Sequence, residues 1–169
     1  DSYEAERRPI GAEVVARTQA ASVNFGREER EVDARLVDSQ VLVAYRDSPI
    51  LRDDCGADAA GPRPGERAPD VAGLARRGFG FPLRLFDMLD GTEHVLLVRI
   101  GEDRDGDLAD LSRLAVALAR DFPGAIRVVA VTTADAPQQP SVGVLVDRTG
   151  AVAVAYGAAA ALIVRPDGH

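Results

Sequence analysis

Two apolar runs of strand length, His94 to Ile100 and Ile126 to Val131, bracket a segment in which Leu108, Leu111, Leu114, Ala115 and Leu118 recur at helical spacing. A strand, a helix and a second strand in that order leave few choices. The crossover through the helix sets the two strands parallel, and runs that are apolar at nearly every position suit strands covered on both faces. Phe122-Pro123-Gly124 ends the helix, and a polar loop from Gly101 to Asp107 precedes it. Further on come the apolar Val142 to Val146, an Asp147-Arg148-Thr149-Gly150 turn, a helical turn through Tyr156-Gly157 and a last strand, Ala161 to Val164. A turn at Pro166-Asp167-Gly168 closes the chain. This rhythm predicts an α/β layer fold.

The first third reads differently. Ser2 is placed to cap a helix carrying Glu4 and Glu6 in its first turn, favourable against the helix dipole. Arg7-Arg8-Pro9 is expected to interrupt it, with Pro9 in the first turn of a second helix on which Ile10, Val14, Thr18 and Ala21 share a face. The charge run Arg27 to Glu31 reads as a solvated helix face, followed by Val32, Leu36 and Val37 at helical spacing. Val41 to Tyr45, short and bounded by turn residues, predicts a strand. Leu83 to Leu89 reads as a short strand or a turn leading into Asp90-Gly91. The organisation expected is a helical segment over 1–51, a linker over 52–67 rich in Asp, Gly, Ala and Pro, and an α/β domain over 68–169. A chain that opens on an amphipathic helix and stops at a turn is expected to be a piece of something longer.

Charge and composition narrow the function. A net charge of −7 with no basic stripe argues against nucleic acid and against anionic lipid. No run reaches the ~20 apolar residues of a membrane span, and no signal-peptide pattern opens the chain, so a cytoplasmic setting is expected. The single cysteine, Cys55, excludes an internal disulfide and an all-cysteine metal site, and beside Asp53 and Asp54 it reads as an inert thiol. His94 and His169 lack partners at ligand spacing. Asp103, Asp105 and Asp107 alternate as in a calcium loop, but the twelfth position is Leu114 where a bidentate Glu is needed. No serine has a Gly-x-Ser-x-Gly setting. Phe79, Phe81, Phe86, Phe122 and Tyr156 read as core and loop anchors.

The order of elements in the α/β half resembles the peroxiredoxin and thioredoxin-like superfamily, and Pro64-Gly65-Glu66-Arg67-Ala68-Pro69-Asp70 resembles its Pro-Gly-x-x-Ala-Pro opening. The fold class this implies is α/β, a thioredoxin-like domain with a central mixed sheet, preceded by a helical segment and linker. Redox members place the attacking cysteine after the first central strand, at a helix N-terminus that lowers its pKa. Here that place is Gly101 to Asp107, without cysteine, and Ala158 to Ala161 stands where those proteins have a cis-proline. The resemblance therefore implies a fold retained without its redox chemistry.

Tyr3-Glu4-Ala5-Glu6-Arg7-Arg8-Pro9 resembles the Tyr-x-x-Glu-Arg-x-Pro motif of FAD-dependent aromatic-ring hydroxylases, which act on phenols and aromatic polyketides. In that family the motif lies on the helix leaving the FAD-binding domain, and many members end in a cysteine-free thioredoxin-like domain whose last strand reads Leu-Val-Arg-Pro-Asp-Gly. Ile163-Val164-Arg165-Pro166-Asp167-Gly168 is similar to it. In the family a further strand follows that turn. The resemblance implies a parent enzyme that reduces FAD with NAD(P)H and transfers one oxygen of dioxygen to an aromatic ring. This segment, lacking a Gly-x-Gly-x-x-Gly fingerprint, is expected to bind no cofactor alone and to supply no catalytic or metal-ligating residue.

Tyr3, Glu6, Arg7 and Pro9 are the residues expected to contact the upstream FAD-binding domain of the same protein. The alternative for Glu6 and Arg7 is a pair of exposed helix ion pairs worth well under ~1 kcal/mol. An apolar helix stripe left exposed favours self-association, so a homo-oligomer is a second expected partner. Two other functions compete with the monooxygenase reading. A free-standing, redox-dead thioredoxin-like binding module has no use for the Tyr3 to Pro9 motif, and a genuine peroxiredoxin requires the missing cysteine.

Overall fold

The computed structural model describes residues 2–23, 39, 41–54, 56, 60–101, 104–137, 139–157 and 159–169. The chain divides into two compact units, one of residues 1–54 with 63–67, the other of residues 55–62 with 68–169. Cys55, the Arg27 to Glu31 charge run with Val32, Leu36 and Val37, and Asp103 of the acidic loop lie outside the described residues.

In the first unit a single helix, α1, runs from Ser2 to Val23. Pro9 does not break it, contrary to the expectation of two helices: the helix continues although Pro9 has no amide hydrogen for the carbonyl of Ala5. Ser2 lies within the first turn and so is not the cap. The face turned inward carries Glu6, Ile10, Val14 and Arg17, while Thr18 and Ala21, expected on it, are exposed. Val41 to Tyr45 is not a strand. Val41 and Leu42 sit in an exposed turn, and among the described residues no strand lies beside the segment to give it a ladder. The amide of Tyr45 donates to the carbonyl of Gly65 at 2.8 Å.

The second unit is the α/β domain. Among the described residues its sheet has four strands, β1 (His94–Arg99), β2 (Ile126–Thr132), β3 (Gly143–Val146) and β4 (Ala161–Val164), in the order β3-β2-β1-β4. β1 pairs parallel to β2 with Val95 beside Arg127, and β2 pairs parallel to β3 with Val129 beside Gly143. β4 runs antiparallel to β1, with Leu97 opposite Leu162. This mixed sheet with α2 (Arg104–Asp121) and α3 (Ala151–Tyr156) is consistent with a thioredoxin-like α/β fold.

Side chains alternate across the sheet and fill two cores. On one face Val128, Ala130 and Val144 pack with Leu108, Leu111 and Ala115 of α2. Leu114 is 44% exposed, one turn position away from the buried stripe it was expected to join. On the other face Val95, Leu97, Val129 and Leu145 pack with Val152 and Tyr156 of α3 and with the segment from Ala68 to Met88. Leu83 and Leu74 exchange both backbone hydrogen bonds, and Leu85 to Met88 forms a 3₁₀ helix in place of the strand or turn expected there. Phe122 ends α2 as expected, with Gly124 at φ +69° in the turn to β2. Of the five aromatics read as core and loop anchors, Tyr156 is buried in the core, whereas Phe79, Phe81, Phe86 and Phe122 are exposed.

Candidate functional site

In redox-active proteins of thioredoxin-like fold the reactive position lies where the first central strand meets the following helix. Here β1 ends in Arg99, whose Nη1 donates to the carbonyl of Gly157 at 2.6 Å and to that of Ala159 at 3.3 Å. The Arg99 amide also bonds the carbonyl of Ala160. A guanidinium thus ties β1 to the loop leading into β4, the loop that shapes the substrate groove in proteins with a cis-proline. Beyond it, the amide of Gly101 donates to Asp107 Oδ2 at 3.3 Å, and Asp105 and Asp107 stand in the first turn of α2. Carboxylates at a helix N-terminus disfavour a thiolate, so the local charge is the reverse of what a reactive cysteine requires.

The opening and closing motifs act as structural clasps. In the first unit Gly65 adopts φ +84°, and a Cβ there would come within 2.8 Å of the Tyr45 carbonyl, so glycine is required on both counts. Glu66 next to it accepts from the amide of Arg63 at 3.0 Å and from Arg46 Nη2 at 2.6 Å. The Arg63 amide, then Arg46, hold its carboxyl below the ordinary carboxylate range. In the second unit Ala68 donates its amide to the carbonyl of Gly168 at 2.8 Å, so the beginning and the end of the domain meet. Pro69 accepts from the Tyr156 hydroxyl at 2.7 Å, and Asp70 accepts from Arg84 Nε and the Phe86 amide. The Arg165 to His169 turn is closed by Gly168 donating to Arg165, while Asp167 takes Arg165 Nη2 at 2.9 Å. Burial pushes the Asp167 carboxyl up, but Arg165 and His169 outweigh it and leave its pKa lowered.

Sequence reasoning missed Asp147. Its carboxylate is buried and accepts from the amides of Thr149, Ala151 and Val152 and from the Thr149 hydroxyl, at 2.8 to 3.2 Å. It thereby caps α3 from three residues ahead of the N-cap position, Gly150. Burial alone would raise its pKa, yet the four hydrogen bonds lower it. The signal was the Asp-x-Thr-Gly turn directly before a short helix.

The four residues singled out on α1 have distinct surroundings. Glu6 is 6% exposed and accepts from the Ser48 hydroxyl at 2.5 Å, so it is a buried, hydrogen-bonded carboxyl and not an exposed ion pair. Arg7 lies 5.9 Å from the ring centre of Tyr3 and 5.4 Å from that of Tyr45, within cation–π range of both. Tyr3 is 67% exposed and Pro9 is exposed. Tyr3, Arg7 and Glu6 therefore come together with Tyr45 and Ser48, and Pro9 does not join them. Among the described residues no group of three or more His, Cys, Asp or Glu is placed to hold a metal ion, and no helix is long and apolar enough to cross a membrane. The sequence has no glycine-rich strand-to-helix turn that would cradle a dinucleotide phosphate.

No protein-family model matches the chain, and no curated protein does. Solved structures do. The flavin-dependent monooxygenase PieE, in complex with FAD and substrate, aligns with all of this chain at 19% identity and a TM-score of 0.57, over 35% of its own length. BexE, studied for oxidation during BE-7585A biosynthesis, aligns with all of this chain at 25% identity and a TM-score of 0.54, over 30% of its own length. The chain spans about a third of the length of these neighbours.

Proposed function

We propose that this chain is the C-terminal structural portion of a cytoplasmic, FAD-dependent, NAD(P)H-using monooxygenase that hydroxylates aromatic or polyketide substrates. One observation carries the reading: the whole chain, α1 and the α/β domain together, aligns with about a third of proteins that include a flavin-dependent monooxygenase. The Tyr3 to Pro9 motif supports it independently, because a self-sufficient binding module has no use for it. In this reading FAD and the nicotinamide belong to the part of the protein that carries the dinucleotide fingerprint. When bound there, the flavin supplies the oxygen activation. The residues of this chain hold structure: Arg99 and Asp147 fix the α/β domain, and Tyr3, Glu6, Arg7 and Pro9 set α1 against the upstream FAD-binding domain.

The burial pattern of α1 fits that role. Within its own unit the helix buries a single side chain, Glu6, while Tyr3, Val15 and Val23 remain exposed. An isolated helix of this kind gains little from packing and depends on a partner surface. The test is preparation of two proteins, the 169-residue chain and the full-length protein that contains it. The full-length protein should purify with one FAD per chain and consume NAD(P)H with a phenolic or polyketide acceptor, and the 169-residue chain should be colourless. A full-length protein without flavin, or stoichiometric flavin on the short chain, would overturn the assignment.

A further inference from the structure

A groove of about 640 Å³ opens outside the C-terminal ends of β2 and β3, between the Arg76 to Phe79 turn and the loop that contains Asp135 and Pro137. Its floor is rigid, because Ala75 and Val146 exchange both backbone hydrogen bonds, at 2.9 and 2.8 Å. The ends of parallel strands are where open α/β sheets receive ligands, and the volume suits a small molecule. The groove lies on the β3 side of the sheet, whereas Arg99 makes its contacts on the β4 side.

The groove is cationic. Several arginines elsewhere in this acidic chain hold carboxylates, Arg46 with Glu66, Arg84 with Asp70, Arg127 with Asp90 and Arg165 with Asp167, and Arg99 bonds backbone carbonyls. In the groove Arg148 is likewise matched by Asp135. Among the described residues Arg76 and Arg77 have no carboxylate partner, although they are adjacent and line the same groove. The Arg76 guanidinium lies over Phe79, 5.2 Å from the ring centre, a contact that biases it toward the groove before any ligand arrives. Two cations over a floor of Ala75 and Val146, walled by Phe79 and Pro137, form a surface with one anionic demand and one apolar demand.

We propose that this groove binds a small amphipathic anion, a carboxylate carried on a flat apolar body, with the carboxylate forked by Arg76 and Arg77 and the body lying against Phe79, Pro137 and Val146. The site is independent of the monooxygenase reading, since no residue of the α1 motif contributes to it. The experiment is an amide-resolved NMR titration of the 169-residue chain with 2-naphthoate, its neutral counterpart 2-naphthalenemethanol, and inorganic phosphate. Saturable shifts should appear at Ala75, Gly78 and Val146 with naphthoate, and both other probes should bind at least tenfold more weakly. Arg77→Ala, an exposed change, should weaken naphthoate several-fold and Arg76→Ala with Arg77→Ala at least tenfold, with the amides of Leu97 and Val129 unmoved as a check on the fold. Equal binding of phosphate would make this an adventitious ion site, equal binding of the alcohol a merely apolar surface, and unsaturable shifts no site; each overturns the proposal.

Discussion

The hydroxyl of Tyr156, at the end of α3, donates to the carbonyl of Pro69, 87 residues earlier in the chain, at 2.7 Å. The ring is 2% exposed, and its neighbours are the strands and the Ala68 to Met88 segment. Burial, then the charge of Asp70, hold the phenol protonated well above its usual range, so it remains a donor throughout the alkaline limb. Replacing Tyr156 with Phe keeps the packing and strands one carbonyl, and should cost about 1 kcal/mol in a denaturant titration. Tyr156→Ala, which also empties a core position, should cost about 3–5 kcal/mol. A Phe variant as damaged as the Ala variant would show that the bond, and not the ring, carries the site.

Asp147 should govern the acid limb of stability. Its folded-state pKa is depressed below the reference value of 3.8, so its contribution is complete above that value and is lost as pH falls through the folded pKa. Asp147→Ala leaves three amides and a hydroxyl without their acceptor and should cost about 2–3 kcal/mol at neutral pH. The difference between wild type and variant should shrink below pH 3.8 as the carboxylate protonates. A difference that stays constant down to pH 2 would remove the charge from the explanation.

Gly157 is a steric requirement. It adopts φ +61°, and a Cβ would lie 1.8 Å from the Ala60 carbonyl oxygen, a backbone atom that cannot swing aside. Gly157→Ala should therefore cost more than the ~1 kcal/mol of an ordinary glycine substitution. Gly124→Ala, also at positive φ but with open space around its Cβ, is the control and should cost only the conformational penalty. Similar losses at both positions would count against the close approach of residues 60 and 157.

Redox chemistry offers a fourth check. With acids at the start of α2 and Arg99 bonded across to the loop before β4, the chain should neither reduce insulin disulfides nor turn over peroxide. Turnover abolished by Cys55→Ala would contradict this.

The β-α-β core was legible in the sequence because its strands, covered on both faces, are apolar runs and its helix repeats at 3.6 residues. The edges of that pattern were less so. Leu114 obeys helical spacing yet faces out, since packing of α2 on one face of the sheet covers a narrower arc than the sequence stripe. Val41 to Tyr45 has strand composition but, among the described residues, no strand to pair with, and Pro9 sits inside α1, where context overrides propensity. The hydrogen bonds of Arg99 and Glu6 were not legible, because their partners, Gly157 and Ser48, are 58 and 42 residues away. The Gly-Glu of the opening motif was seen as a likeness, while its physical task, a tight turn and a carboxylate hub, came from geometry.

The central claim is that these residues support a flavoenzyme without performing its chemistry, and truncation of the full-length protein after Pro64 tests it most directly. Melting temperature, FAD content, flavin reduction by NAD(P)H and product formation would be measured on the same preparation. The account predicts lower stability and weaker FAD retention, with the molecules that keep FAD still coupling its reduction to oxygen transfer. A truncated enzyme of normal stability that reduces its flavin yet fails to transfer oxygen would place a catalytic role in the α/β domain and contradict the account.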